Sequence, residues 1–247
     1  MIKKCQIKVL MLLLYVLSYC NSAKADVVIY PIEVGVGNKG AAQIQVLSRS
    51  EQVSFVRVTE KKIINPGTSQ EKEISSDMTA DGALVITPQK LAVSPGGQRL
   101  VRLVAVNLPE KETTWRVYFE GVSENEFNGI TDPAHKSKTT AQVGVSIIWG
   151  ALVHVAPRNP VVSLKIDGRT GMFINDGTVR IPLTQIGECT STGGCTWHKE
   201  GATVYPDTKV KIKSFSYHPG SLYKVRFKNW LEDKNEEISL PVTAGSE

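Results

Sequence analysis

Residues Ala141–Val155 read AQVGVSIIWGALVHV, and this run decides how the chain folds. Ala141, Val143, Val145, Ile147, Trp149, Ala151, Val153 and Val155 place an apolar side chain at every second position. Gln142, Gly144, Ser146, Ile148, Gly150, Leu152 and His154 lie between them. A period of two is that of a β-strand, whose successive side chains point to opposite faces of a sheet. At ~3.3 Å per residue the run would extend about 50 Å, well beyond an ordinary strand. At a sheet edge its unpaired backbone groups and apolar face would recruit another chain. As an interior strand it would be paired on both sides, and the pattern alone does not separate the two.

The same alternation dominates outward from this run. On its N-terminal side, 123–140 (SENEFNGITDPAHKSKTT) is polar and patternless, and reads as a long loop. Before it come short strand patterns at Gln43–Leu47, Val53–Thr59, Leu84–Ile86, Leu100–Val106 and Trp115–Val122. Asn65-Pro66-Gly67, Asp81-Gly82, Ser94-Pro95-Gly96-Gly97 and Asn107-Leu108-Pro109 supply the turns between them. On the C-terminal side, Pro157-Arg158-Asn159-Pro160 forms a stiff joint and marks a domain boundary. Beyond it, strand patterns recur at Val162–Ile166, Met172–Ile174, Val179–Leu183, Val210–Ser214, Tyr223–Phe227 and Ile238–Val242. The expected fold is all-β, with one sandwich over 26–156 and a smaller one over 161–247.

Residues 1–25 read as a cleaved secretory leader. Lys3, Lys4 and Lys8 precede the apolar run Val9–Cys20, and Ala23-Lys24-Ala25 supplies small residues at the cleavage spacing. The run is shorter than the roughly 20 residues a membrane span needs, and no second run of that length follows. Acylation at Cys20 would need a small residue where Tyr19 stands, so no membrane anchor is expected. The leader also explains the charge. The chain has 29 basic and 24 acidic residues, a net of +5, but four of the lysines lie in the leader. The mature chain is close to neutral, which removes the case for a nucleic-acid partner.

Cys189 and Cys195 remain after cleavage, an even pair in an exported chain, and are expected to form a disulfide. A zinc reading would add His198, giving three ligands without the paired spacing of a structural site. Gly35-Val36-Gly37-Asn38-Lys39-Gly40 matches a dinucleotide fingerprint, yet an alternating segment follows it where a helix is required. It reads as a turn between strands. His135, His154, His198 and His218 are scattered, and His154 falls on the polar face of the long run, where a solvated or hydrogen-bonded ring is expected. No nucleophile elbow or paired-ligand spacing occurs, so a binding protein without catalysis, metal or cofactor is expected.

Several stretches resemble one family, the periplasmic chaperones of the chaperone–usher pathway that assembles pili. Ile86-Thr87-Pro88-Gln89-Lys90-Leu91, followed by Ser94-Pro95-Gly96-Gly97-Gln98-Arg99-Leu100-Val101-Arg102-Leu103, is similar to the family's TP…L.PG….VRL stretch. Lys62-Ile63-Ile64-Asn65-Pro66-Gly67-Thr68 and Arg116-Val117-Tyr118-Phe119-Glu120 resemble the alternate class, which serves thin colonisation-factor-type fimbriae. Asn175-Asp176-Gly177-Thr178-Val179-Arg180 resembles its second-domain turn. The resemblance covers essentially all of the mature chain and is strongest over 58–155.

The resemblance implies two immunoglobulin-like domains in an L-shaped arrangement and a periplasmic location. It implies an ATP-independent chaperone that lends its G1 strand to a pilin subunit by donor-strand complementation. The pilin then passes to an outer-membrane usher. Carried onto this chain, the donor strand is Ala141–Val155, the pilin-binding residues are Val143, Val145, Ile147 and Trp149, and 123–140 orders on binding. Family members anchor the pilin's terminal carboxylate with an Arg in the first strand and a Lys late in G1. Here Val27–Ile32 and Ala141–Val155 contain neither. Arg116 is the first anchoring candidate and Arg102 the second, with a structural ion pair between the domains as the other role for Arg102. Self-association through the G1 edge is a further expectation. A fimbrial structural subunit or adhesin is the competing reading, and a periplasmic ligand-binding module a third. The short, proline-containing segment Asp26–Ile32 disfavours the first, and the wide separation of Trp115, Trp149, Trp197 and Trp230 the second.

Overall fold

A computed structural model describes residues 26–75, 82–130 and 147–243. Residues 1–25, read as a leader, and the positions Val143 and Val145 lie outside the described residues. Among the described residues, ten strands form the first half of the molecule. They are β1 (Val27–Tyr30), β2 (Glu33–Val36), β3 (Ala41–Ser48), β4 (Ser54–Ile64), β5 (Lys72–Ile74), β6 (Leu84–Thr87), β7 (Lys90–Val93), β8 (Gln98–Ala105), β9 (Thr113–Val122) and β10 (Ile148–Val155). One sheet runs β1-β3-β8-β6, and the facing sheet runs β2-β10-β9-β4-β5 with β7 also paired to β4.

Period-two patterning places the core between these sheets. On β9, Trp115, Val117 and Phe119 are buried, while Arg116, Tyr118 and Glu120 lie on the outer face. Ile44 and Val46 of β3, Val101 and Leu103 of β8 and Ala151, Val153 and Val155 of β10 complete the packing. The first run of the mature chain, read as one strand over Val27–Ile32, is split at Pro31. Proline cannot donate to a ladder, and the chain changes sheets there, β1 pairing with β3 and β2 with β10.

The second half carries β11 (Leu164–Asp167), β12 (Phe173–Asn175), β13 (Ile181–Cys189), β14 (Cys195–Lys199), β15 (Thr203–Val204), β16 (Lys209–Val210), β17 (Leu222–Asn229), β18 (Lys234–Leu240) and β19 (Val242–Thr243). Its sheets run β16-β12-β11-β19 and β14-β13-β17-β18, with β15 on β13. Leu164, Ile166, Phe173, Ile181, Tyr223, Val225 and Phe227 fill the space between them. Phe215 adds edge-on contacts to Phe173 and Tyr223, each with centroids 5.1 Å apart. The fold is all-β and immunoglobulin-like.

The segment read as structureless from Ser123 onward contains a helical turn, α1 (Glu124–Asn128). Ser123 accepts from the Glu126 amide and the Glu126 carboxylate accepts from the Ser123 amide, a reciprocal capping box. Gly129 ends the turn at φ 71°, and Phe127 rests on Phe55 at 4.9 Å between centroids. Polarity hid this turn, because its stability comes from the cap and one aromatic contact.

Candidate strand-donating edge and domain junction

The strand β10 is paired differently along its two halves. It lies antiparallel to β9 over its whole length, from Ile148 opposite Glu120 to Val155 opposite Thr113. On its other side β2 runs parallel, but only from Leu152 opposite Glu33 to Val155 opposite Val36. The Leu152 amide donates to the Ile32 carbonyl at 2.8 Å, which marks the start of the doubly paired half. Among the described residues, Ile148–Ala151 therefore has a ladder partner on one side only. Edge and interior were opposed readings of this run. Both hold, divided at Leu152.

Side chains follow the same division. Ala151, Val153 and Val155 are fully buried in the first sandwich. Ile147 and Ile148 are 44% and 53% exposed, and Tyr30 and Ile32 beside the open half are 70% and 61% exposed. Trp149, grouped with the donor residues, is instead half-buried against its own core, and its indole N–H donates to the Val27 carbonyl at 2.7 Å. Its face is that of Ala151 and Val153, at the point where the sandwich still closes over it.

Arg116 sits opposite Leu152 in the β9–β10 register. Its guanidinium donates to Glu73 at 2.8 Å and lies 3.6 Å from Glu71. The Tyr118 hydroxyl also donates to Glu73 at 2.8 Å, and burial followed by this bond raises the phenol above its ordinary range. Both side chains lie beside Gly150, where a β-carbon would meet Arg116 Cδ at 3.4 Å and Tyr118 Cε1 at 3.6 Å, ordinary packing distances. Arg102 lies on β8 in the other sheet, exposed and opposite Gln43 and Thr87. The role of interdomain ion pair considered for it belongs to Arg180.

At the junction, Arg180 donates to Glu112 Oε1 at 2.9 Å and to Glu33 Oε1 at 3.1 Å. Its own amide and the Trp230 indole donate to Glu112 Oε2 at 3.0 and 3.1 Å. The guanidinium also stacks over Trp230, 4.9 Å from the ring centroid. Lys111 pairs with Asp207 at 2.6 Å, and the Glu112 amide donates to the Thr178 carbonyl at 2.8 Å. His154, expected on a solvated or hydrogen-bonded polar face, is fully buried between Glu112 and Glu33, 3.3 Å from an oxygen of each. Tyr205 of the second sandwich covers it, with rings stacked 6.1 Å apart. Burial pushes the Glu112 carboxyl up, yet His154 and Arg180 together hold it below the usual range. The Glu33 carboxyl is lowered chiefly by the neighbouring His154 ring, with burial opposing and Arg180 reinforcing.

Sequence reasoning missed this cluster. Arg180 closes the Asn175–Arg180 stretch, but nothing near Glu112 or Trp230 in sequence signals their meeting. Cys189 and Cys195 are joined in a disulfide across the β13–β14 ladder, where they are direct partners, so no thiolates are left for zinc. Among the described residues no group of three or more His, Cys, Asp or Glu is arranged to hold a metal ion.

No family model matches the chain. It is 33% identical over 205 residues to a CFA/I fimbrial subunit of Escherichia coli, covering 79% of this chain and 84% of that one. The crystal structure of the class 5 fimbriae chaperone CfaA superposes with a TM-score of 0.70 at 26% identity, over 87% of this chain and 98% of that one. A chaperone–tip adhesin complex of CFA/I fimbriae biogenesis superposes at 0.68, also at 26% identity, over 87% and 99% of the two chains.

Proposed function

Because this chain belongs to the fimbrial chaperones of the chaperone–usher pathway, in the class of the CFA/I chaperone, we propose that it lends the open half of β10 to a pilin subunit. The observation that carries this reading is the one-sided pairing of Ile148–Ala151. A strand with a free ladder edge and an apolar face adds readily to a partner's incomplete sheet. Should the strand continue upstream on binding, its period of two would put Val143, Val145 and Ile147 on the face that Ala151, Val153 and Val155 present to their own core. One apolar stripe would then serve two cores, its C-terminal half filling this protein and its N-terminal half filling the pilin.

Pilin subunits are its partners. The leader directs the chain to the periplasm, where it holds the pilin without ATP and delivers it to an outer-membrane usher. Catalysis has no part in this, in keeping with a fold shared with chaperones that are not enzymes. Arg116 is the anchoring group for the pilin's terminal carboxylate, because it lies beneath Gly150 beside the open half. An incoming carboxylate would displace or join Glu73 there. The Escherichia coli relative is a fimbrial subunit by name, but two sandwiches matched over 98% of a chaperone's length support the chaperone role.

Co-expression with fimbrial subunits followed by pull-down tests the reading. Val145→Asp and Ile147→Asp each place a carboxylate in an apolar groove, and recovered complex should fall by about a hundredfold, equivalent to ~2.7 kcal/mol. Ile147 is exposed in the free protein, so its folding is not at stake. Full binding by both variants would overturn the proposal.

A further inference from the structure

The guanidinium of Arg116 is already met by two carboxylates of its own chain, and the two are not held alike. Glu71 and Glu73 both come from the β4–β5 hairpin. Its return strand β5 pairs with β4 at three positions, Lys62 with Ile74, Ile63 with Glu73 and Ile64 with Lys72. β5 ends its sheet, so among the described residues it has no ladder partner on its other side. The Glu71 carboxylate accepts from the Gly67 amide at 2.8 Å through Oε2 and turns Oε1 toward Arg116 at 3.6 Å. Glu71 therefore ties the hairpin turn. The second sandwich braces that turn, since a β-carbon at Gly67 would stand 3.2 Å from two ring carbons of Tyr205. Glu73 has no such duty to the backbone. Among the described residues its side chain accepts from Arg116 Nη1 and the Tyr118 hydroxyl alone, each at 2.8 Å.

The charges show which carboxylate can leave. Lys61, opposite Arg116 on β4, donates to the Ser75 hydroxyl at 3.2 Å. Two cations and two carboxylates thus share this part of the outer face, and the free protein is balanced there. A pilin's terminal carboxylate arriving at Arg116 would add a third negative charge. The Arg116 and Glu73 side chains are 35% and 28% exposed, so water screens that surplus only in part. Release of one resident carboxylate removes it. Departure of Glu73 breaks no backbone hydrogen bond and returns its carboxylate to water. Departure of Glu71 would undo the turn.

We propose that Glu73 is a resident competitor for the anchoring site, a carboxylate of this chain that holds Arg116 until a pilin's terminal carboxylate takes its place. The proposal rests on the reading of Arg116 as the anchor. Exchanging one carboxylate for another gives the ion pair little net affinity, because each pair formed is matched by one broken. The exchange gives selection instead. An apolar strand whose terminus stops short of Arg116 leaves Glu73 in place and gains nothing there. A terminus in the right register takes over a guanidinium that is already positioned beside Gly150, in the half of β10 with one ladder partner. Tyr118 sets how firmly the resident is held, since its hydroxyl is the second donor to Glu73.

Competition for a limiting fimbrial subunit tests the exchange. Two tagged forms of the full chain are co-expressed with the subunit, and the share of complex captured by each is read by mass spectrometry. Against the unaltered chain, Glu73→Gln should capture about fivefold more subunit, the strength of one partly exposed ion pair. Tyr118→Phe should shift the shares in the same direction. With Arg116→Ala in both competitors the advantage of Glu73→Gln should vanish, which a merely structural role for Glu73 would not produce. The carboxyl-carbon signal of Glu73 should also move when the subunit binds. Equal or smaller capture by Glu73→Gln would overturn the proposal, as would an advantage that survives Arg116→Ala. Should Glu73→Gln lose β5, the carboxyl signal of the unaltered chain decides, and a signal that stays put in the complex overturns the exchange. Complex recovered in equal shares removes the exchange alone, whereas no complex with any form removes the strand-lending reading and the exchange with it.

Discussion

Trp230 lies so close to Gly35 that a β-carbon there would stand 2.1 Å from Cζ3 of the indole. The same indole is tied to Glu112 and stacked by Arg180, so moving it disturbs both contacts. Gly35→Ala should therefore displace Trp230 and cost about 1–3 kcal/mol, as overpacking of a tight contact does. Urea unfolding followed by tryptophan emission would read both effects, and unchanged stability would show that the indole moves freely. Of the glycine-rich stretch read as a turn, Gly37–Gly40 is one, since Gly40 adopts φ 67° and its amide donates to the Gly37 carbonyl, whereas Gly35 and Val36 belong to β2. The need for glycine at 35 was not legible, because its cause is an aromatic ring from the other domain. Arg116 teaches the same lesson. Its strand was readable, but Glu71 and Glu73 come from a neighbouring hairpin whose return on β4 no local pattern announces.

Among the elements, the β13–β14 hairpin depends most visibly on a single covalent link. Cys189 and Cys195 face each other across the ladder, six positions apart in sequence. Closing so short a loop removes limited freedom from the unfolded chain, so replacing both cysteines with serine should cost about 2 kcal/mol. Equilibrium denaturation of the double variant against the oxidised parent measures this, and reduction of the parent should reproduce the loss. The pairing was legible from the two cysteines that lie close together beyond residue 25. The longer extent of β13 was not, because Ile181–Cys189 is held as strand by β14, β15 and β17 together. The strand β10 shows the limit of pattern reading most clearly. Its period declared a strand, but only β2 arriving at Leu152 determines which residues stay open.

For the whole molecule, the junction makes stability depend on acid. Glu33 and Glu112 titrate below the ordinary carboxylate value in the folded state, and Asp167, bonded to Lys209, is lowered as well. A carboxyl lowered by folding contributes stability above its unfolded value, near 4.5 for glutamate, and loses it as pH falls through the folded value. Unfolding free energy should therefore decline from about pH 5 downward. Glu112→Gln should flatten that decline while lowering stability at neutral pH, since Arg180 then keeps a buried charge with a weaker partner. A parallel decline in the variant would show that these contacts contribute little.

Alternation, turn residues and the cysteine pair were determined by the sequence itself. Each rests on sterics, periodicity or composition within a short stretch of chain. The period of Ala141–Val155 likewise announced a strand, and left open whether it lies at an edge or inside a sheet. The tertiary structure alone decided that the strand opens before Leu152, that Trp149 turns home and that Arg116 is already paired. It also decided that His154, Glu33, Glu112, Arg180 and Trp230 meet. These outcomes depend on which distant segments pack together, and burial and charge balance are properties of that packing.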